Sequence, residues 1–230
     1  MKNLNLRSSQ FGNYAFGLYT PRKEMLELDL QGSEPTIPRH MRKYVVFGSK
    51  HEKHGIAKWC MVNKKIPQHV LKDQHSFKIQ NWLNLKQEET ISISSTPDGI
   101  YKDLDTDKTT ILEVKCSNLG KSCKDSFDKR WLPQVFGQQF LLACLGYEVK
   151  ETHLINWSKC RTKIYQVKYC QEFINYLIEL LEEYSLALLK GKANGLIEKP
   201  KEFNGNIDDY IKKIYDNGND NKDKIKSTKE

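Results

Sequence analysis

Between Ser94 and Ser117 the chain reads SSTPDGIYKDLDTDKTTILEVKCS, and three of its side chains have the types and spacing for chemistry. Asp98 sits in a Pro97-Asp98-Gly99 step, and Glu113 and Lys115 follow on either side of Val114. Ile91 and Ile93 alternate with serines ahead of the proline, and Ile111-Leu112-Glu113-Val114 has the short apolar run of a largely buried strand. The segment therefore predicts a β-hairpin joined by the polar, Asp-rich link from Lys102 to Thr110. The strand period of two puts Glu113 and Lys115 on one face and Leu112 and Val114 on the other. With Asp98 aimed at the same place from the neighbouring strand, carboxylates beside an ammonium make a site for a hard cation such as Mg²⁺ and a polarised water. Such ions also take substrate phosphates as ligands. A hairpin whose charges merely face water is the alternative, and the apolar strand and the residues below favour the site.

Other elements must bring groups to that hairpin. The segment Met41–Val62 predicts a helix in which Gly48, Gly55, Ile56 and Trp59 fall on or beside the face of Glu52. An unpaired carboxylate on such an apolar, small-residue stripe is costly unless a cation meets it. His51 and His54 flank it; they could ligate a metal, but two solvent-facing histidines are favoured because magnesium-type sites use oxygen ligands. A second helix, Gln134–Leu145, lines up Gln134, Gln138, Leu141, Leu142 and Leu145. Its two glutamines either satisfy backbone groups or reach into the site, and helix geometry leaves both open. Near the start, Arg7-Ser8-Ser9-Gln10 places serine at a helix N-terminus, where capping is the stronger reading and phosphate binding the weaker.

The remaining segments read as scaffold. Lys23–Leu30 predicts a short helix and Ile66–Leu85 a mixed charged and aromatic stretch, either a DNA-facing or a solvated strand pair. Asn118–Arg130 is a basic connection, Glu151–Trp157 and Thr162–Tyr169 are strands, and Gln171–Lys190 is a helix that packs one apolar face on the sheet. The 230 residues suit one domain, 1–203, and a polar tail, 204–230, with too little apolar content to order itself. The net charge of +8 favours a polyanionic partner. Six cysteines without a C-x-x-C pair exclude a zinc ribbon or an iron–sulfur cluster by spacing, and predict free thiols. No apolar run suits a bilayer and none suits a signal peptide, so the expectation is a soluble intracellular protein of cytoplasm or nucleus, with no membrane contact and no secretion.

The Ser9-bearing start, Gly48-x-x-x-Glu52, Pro97-Asp98-Gly99, Glu113-x-Lys115 and Gln134-Val135-x-Gly137-Gln138 stand in an order that resembles the YqaJ-like viral recombinase family, the lambda-exonuclease-type branch of the PD-(D/E)XK nucleases. The similarity spans roughly Leu4 to Tyr169. It implies an α/β (α+β), restriction-endonuclease-like fold with a mixed central sheet flanked by helices. It also implies Mg²⁺ or Mn²⁺ held by Asp98, Glu113, the Val114 carbonyl and Glu52. Lys115 would orient the attacking water or stabilise charge, Gln134 would occupy the motif-glutamine position with Gln138 in support, and Ser9 would help hold a 5′-phosphate. Phe136 stands where a second glutamine is common, and only Lys2 and Arg7 offer cations near Ser9. The implied activity is 5′-to-3′ exonuclease action on double-stranded DNA ends in recombination, replication or repair of viral or mobile-element DNA. Implied partners are a single-strand annealing protein and two further copies in a homo-trimer. An endonuclease of the same fold, or a non-catalytic DNA-binding protein, are the alternative readings.

Overall fold

The apolar run around Leu112 becomes the middle of strand β6 (Thr109–Cys116), buried from Thr109 through Val114, and the other elements are arranged about it. The structure is a computed structural model and describes residues 3–70, 76–86, 89–117, 126–191 and 196–218. Lys72, His75, Cys123 and most of the Asn118–Arg130 connection lie outside the described residues.

In chain order the elements are β1 (Asn3–Arg7), a 3-10 turn (Ser8–Gln10), α1 (Phe11–Phe16), α2 (Arg22–Leu30), α3 (Arg39–Asn63), β2 (His69–Val70), β3 (Phe77–Lys86), β4 (Glu89–Ser95), β5 (Gly99–Lys102) and β6. There follow a 3-10 turn (Lys129–Trp131), α4 (Leu132–Cys144), β7 (Val149–Trp157), β8 (Thr162–Lys168), α5 (Gln171–Leu189), a 3-10 turn (Ile207–Tyr210) and β9 (Ile211–Asp216). Among the described residues they form a mixed α+β fold with two sheets. The larger has the order β2-β5-β6-β7-β8-β9 and the smaller β1-β4-β3. Within the larger sheet β6 and β7 are parallel and the other pairs antiparallel. A parallel pair needs a crossover connection, and α4 lies on that crossover.

The two faces of β6 meet different helices. Leu112 and Val114 pack with Ile56 and Trp59 of α3 and with Ile155 and Ile164 of the sheet. Ile111 belongs to the larger core, shared with Val135, Phe136, Leu141 and Leu142 of α4 and with Ile174, Leu177 and Leu181 of α5. The expected helix face Phe173, Leu177, Leu180, Leu181, Tyr184 and Leu188 is buried.

Three sequence readings need correction. Ser8 and Ser9 stand at a helical start, but neither caps it, and a strand precedes them: β1 runs parallel to β4, with Leu6 buried between exposed Asn5 and Arg7. Ile91 and Ile93 belong to the smaller sheet, so the first arm of the hairpin is β5, after Asp98, paired with β6 from Gly99↔Leu112 to Lys102↔Thr109. The stretch from 204, read as an unordered tail, holds a 3-10 turn and β9, which extends the sheet edge on β8. Arg161 clamps Asp216 through two contacts of 2.8 Å, and Ile207 is buried, so pairing and one anchor order what composition alone does not. Residues 219–230 lie outside the described residues.

Helix α3 approaches β6 closely at Gly55, where a β-carbon would lie 2.5 Å from Val114 Cγ1, whereas nothing lies within 4 Å of one at Gly48. An Ala in place of Gly gains about 0.5–1 kcal/mol in a helix interior, but overpacking costs about 1–3 kcal/mol. Gly48→Ala is therefore expected to raise the melting temperature by a few degrees and Gly55→Ala to lower it, as thermal unfolding of the two variants will show.

Candidate active site

Asp98 stands where the chain leaves the smaller sheet and enters the larger. The β5–β6 ladder ends at Gly99↔Leu112, and beyond it the Asp98 side chain supplies the acceptor: Val114 N–H donates to Asp98 Oδ2 at 2.6 Å. A strand residue directs its N–H and C=O toward the same neighbouring strand. The Val114 carbonyl therefore faces the Asp98 side as well.

On the opposite face of β6, Glu113 is 3% exposed and takes hydrogen bonds on both oxygens. Lys115 Nζ and Gln134 Nε2 each donate to Oε1 at 2.7 Å. Gln138 Nε2 donates to Oε2 at 2.7 Å, and Lys115 Nζ also donates to Gln134 Oε1 at 2.7 Å. Gln134 and Gln138 are four apart on α4 and so share a face. The question left open by helix geometry is answered: both amides reach the hairpin rather than backbone groups. The buried amide that does serve the scaffold is Gln139, which donates to Thr152 Oγ1 and to the Val167 carbonyl.

The electrostatics tie Glu52 to this group. Burial pushes the Glu52 carboxyl above its ordinary pKa and Glu113 adds to the rise, with Lys115 opposing it. Asp98 is raised well above the ordinary carboxylate range, first by burial and then by the charge of Glu113, while the Val114 N–H works the other way. Burial disfavours the Lys115 ammonium, but the charge and hydrogen bond of Glu113 outweigh it and hold its pKa above the usual lysine value. The carboxylates of Glu52, Asp98 and Glu113 thus share the field of the Lys115 ammonium.

Asp98, Glu52 and the Val114 carbonyl are oxygen donors of the kind a hard divalent cation takes, and the raised carboxyls are groups such an ion would stabilise in ionised form. Glu113 already has both oxygens engaged. Among the described residues, no group of three or more His, Cys, Asp or Glu side chains is assembled as a metal site. The donor types therefore fit, and Glu113 Oε2, which accepts a single hydrogen bond, keeps a lone pair that such an ion could take.

The other expected residues fall elsewhere. Ser9 is exposed on the 3-10 turn that packs against α4 and β4, and it makes no cap; its neighbour Ser8 is the buried one, donating to Ser95 Oγ at 2.8 Å. Arg7 is exposed, and its guanidinium is 2.8 Å from Glu34. It lines a cavity of about 190 Å³ with Tyr14, Asp29 and Glu34, an acidic surrounding unsuited to a phosphate. His51 and His54 lie against an aromatic side chain. Their rings stack on Trp157 with centroids 5.5 and 5.4 Å away, and Phe47 lies 4.0 Å from His51.

Tyr19 and Arg130 were not expected at the site. Arg130, in the 3-10 turn that leads into α4, has its guanidinium 5.6 Å from the Tyr19 ring centroid and paired bidentately with Asp128. The Tyr19 phenol is within electrostatic reach of Lys115. The only sequence signal was the basic character of the connection that contains Arg130.

No family model matches the chain, and no curated protein matches it. A solved structure described as the crystal structure of SSO0001 resembles 81% of this chain and 77% of its own at 13% sequence identity, with a TM-score of 0.48. That likeness is too low to assign a fold family or an activity. Among the described residues no helix is long and apolar enough to cross a membrane.

A carboxyl whose pKa is raised by folding is stabilising while protonated, and that stability is lost as pH rises through the raised value. Asp98→Asn keeps an acceptor for the Val114 N–H and removes the charge. In buffer without divalent ions it is expected to melt higher than wild type near neutral pH. The difference should vanish below the ordinary Asp pKa of about 3.9, which paired melting curves across pH will check.

Proposed function

We propose that this chain is a divalent-metal-dependent DNA nuclease with a restriction-endonuclease-like core, acting on phosphodiesters at the end of the β5–β6 hairpin. The observation that carries the reading is the convergence on Glu113 of Lys115, Gln134 and Gln138, with Asp98 anchored beside it by Val114. The ordered resemblance of these residues to the lambda-exonuclease-type family supports the same reading, and the chain's net charge of +8 suits a polyanionic substrate.

A divalent cation held by Asp98, Glu113, Glu52 and the Val114 carbonyl would supply neutralisation of the phosphodiester and a lowered pKa for its bound water. The chain's own residues do the rest. Lys115 presents a fixed positive charge to the developing oxyanion, a form of stabilisation that needs no reorganisation during the reaction. Gln134 holds the ammonium through its amide oxygen and the carboxylate through its amide nitrogen, so it keeps the two in register. Gln138 fixes the second oxygen of Glu113 and hence the plane of the carboxylate.

Exonuclease action from 5′ ends is the first reading. Endonuclease action of the same core is the second, because Arg7, a cation near Ser9, is drawn to Glu34 instead of a phosphate pocket. That pair is exposed and worth about 0–1 kcal/mol, so a DNA end could displace it.

Degradation of an end-labelled linear duplex beside a covalently closed circle separates the readings. With Mg²⁺ or Mn²⁺ the linear DNA is expected to be consumed from its 5′ ends while the circle survives. EDTA should stop the reaction, and Asp98→Ala and Lys115→Ala should each slow it by about 10²-fold or more. Cutting of the circle would establish the endonuclease, and DNA binding with no cutting under any metal would overturn the nuclease reading.

A further inference from the structure

A cavity of about 550 Å³ opens beside the first turn of α4, at Leu132 and Pro133. Its floor is aromatic. Phe203 lies 5.1 Å from Phe173 and 5.7 Å from Tyr176 between ring centroids, and Phe16 lies 6.4 Å from Phe173. Its rim is cationic: Lys129, Arg130, Lys199 and Lys201 line it against two carboxylates, Glu202 and Asp208. Asp208 is itself held by Lys129 at 2.8 Å.

The position relative to the candidate active site matters as much as the lining. Leu132 and Pro133 form part of the cavity wall, and the next residue, Gln134, holds Glu113 and Lys115. Arg130, on the rim, lies 5.6 Å from the Tyr19 ring centroid. One turn of chain therefore separates the two sites. The volume falls in the range of about 300–1,000 Å³ typical of small-ligand sites, room for a base and its sugar but not for a duplex. An aromatic surface within a basic groove is how proteins hold single-stranded nucleic acid, each ring accepting any base by its face.

We propose that this cavity takes a nucleobase of a single nucleic-acid strand whose neighbouring phosphodiester lies at Glu113 and Lys115. The proposal rests on the nuclease reading for the position of that phosphodiester, and on the cavity alone for the base. Phe203 is the stacking residue, and the lysines of the 199–201 segment neutralise adjoining phosphates.

Binding can be read without cleavage. The full chain in EDTA is titrated into a single-stranded oligonucleotide carrying 2-aminopurine, whose fluorescence is quenched on stacking, at several salt concentrations. Phe203→Ala is expected to weaken binding about tenfold or more and to abolish the quench, and Phe203→Tyr, which keeps the ring, to retain both. Lys201→Gln, on an exposed side chain that leaves the aromatic floor intact, is expected to reduce the slope of log affinity against log salt by about 0.7. A protein that cuts DNA but binds the oligonucleotide equally in all these forms overturns the cavity assignment and leaves the nuclease reading standing. A protein that never cuts but loses affinity in Phe203→Ala and Lys201→Gln overturns the nuclease reading and keeps the cavity as a single-strand site. Affinity of the cavity for an apolar peptide, with none for the oligonucleotide, overturns the proposal.

Discussion

A carboxylate buried in a protein core must be met by donors, and Glu113 is the point at which this fold meets that requirement. Leaving it unpaired would cost several kcal/mol. The chain answers with one ammonium from the same strand and two amides from α4. Those three bonds do more than satisfy a charge. They fix the distance and rotation of α4 against the sheet, they place Gln134 beside Lys115, and they hold the crossover between the parallel strands β6 and β7. The catalytic reading and the packing of the larger core thus depend on the same carboxylate.

The other face of β6 is governed by sterics instead of charge. Gly55 lets α3 come down onto Val114, Ile56 and Trp59 seal the contact, and Glu52, one turn earlier, is brought into the field of Glu113 and Lys115 without a hydrogen bond to either. Beside it, Phe47, His51, His54 and Trp157 form a stacked layer at the end of β7. Acidic groups therefore approach the end of the hairpin from both sides of the sheet. Burial first, and repulsion by Glu113 after it, raises the carboxyls of Asp98 and Glu52, a local cost of the kind that functional sites carry and the surrounding core absorbs.

Away from the hairpin, a buried arginine does the organising. Arg22 donates to the carbonyls of Tyr14 at 2.7 Å and Leu180 at 3.1 Å, and also to that of Ile197. It thereby joins α1, α5 and the segment that leads to Phe203. That segment carries Phe203 of the aromatic cavity, and β9, held to β8 by ladder bonds and by Arg161, anchors its other end.

What the sequence determined by itself was the chemistry carried on short periods. Two-residue alternation assigned Glu113 and Lys115 to one face of β6. A spacing of four put Gln134 and Gln138 on one side of α4, and the face shared with Gly55 and Ile56 pointed Glu52 toward the sheet. Those relations are local, set by backbone geometry within a single element, and they survive folding unchanged. Tertiary structure decided everything that depends on a distant partner. It turned the amides of α4 toward Glu113, paired β1 with β4 and β9 with β8, gave Arg7 to Glu34, buried Ser8 while exposing Ser9, and brought Tyr19 and Arg130 together. Each of these is a contact between residues far apart in the chain, and neither composition nor periodicity records which of many donors or strand edges will meet which. That choice is made only when the apolar faces close on one another and the polar groups left inside must find partners.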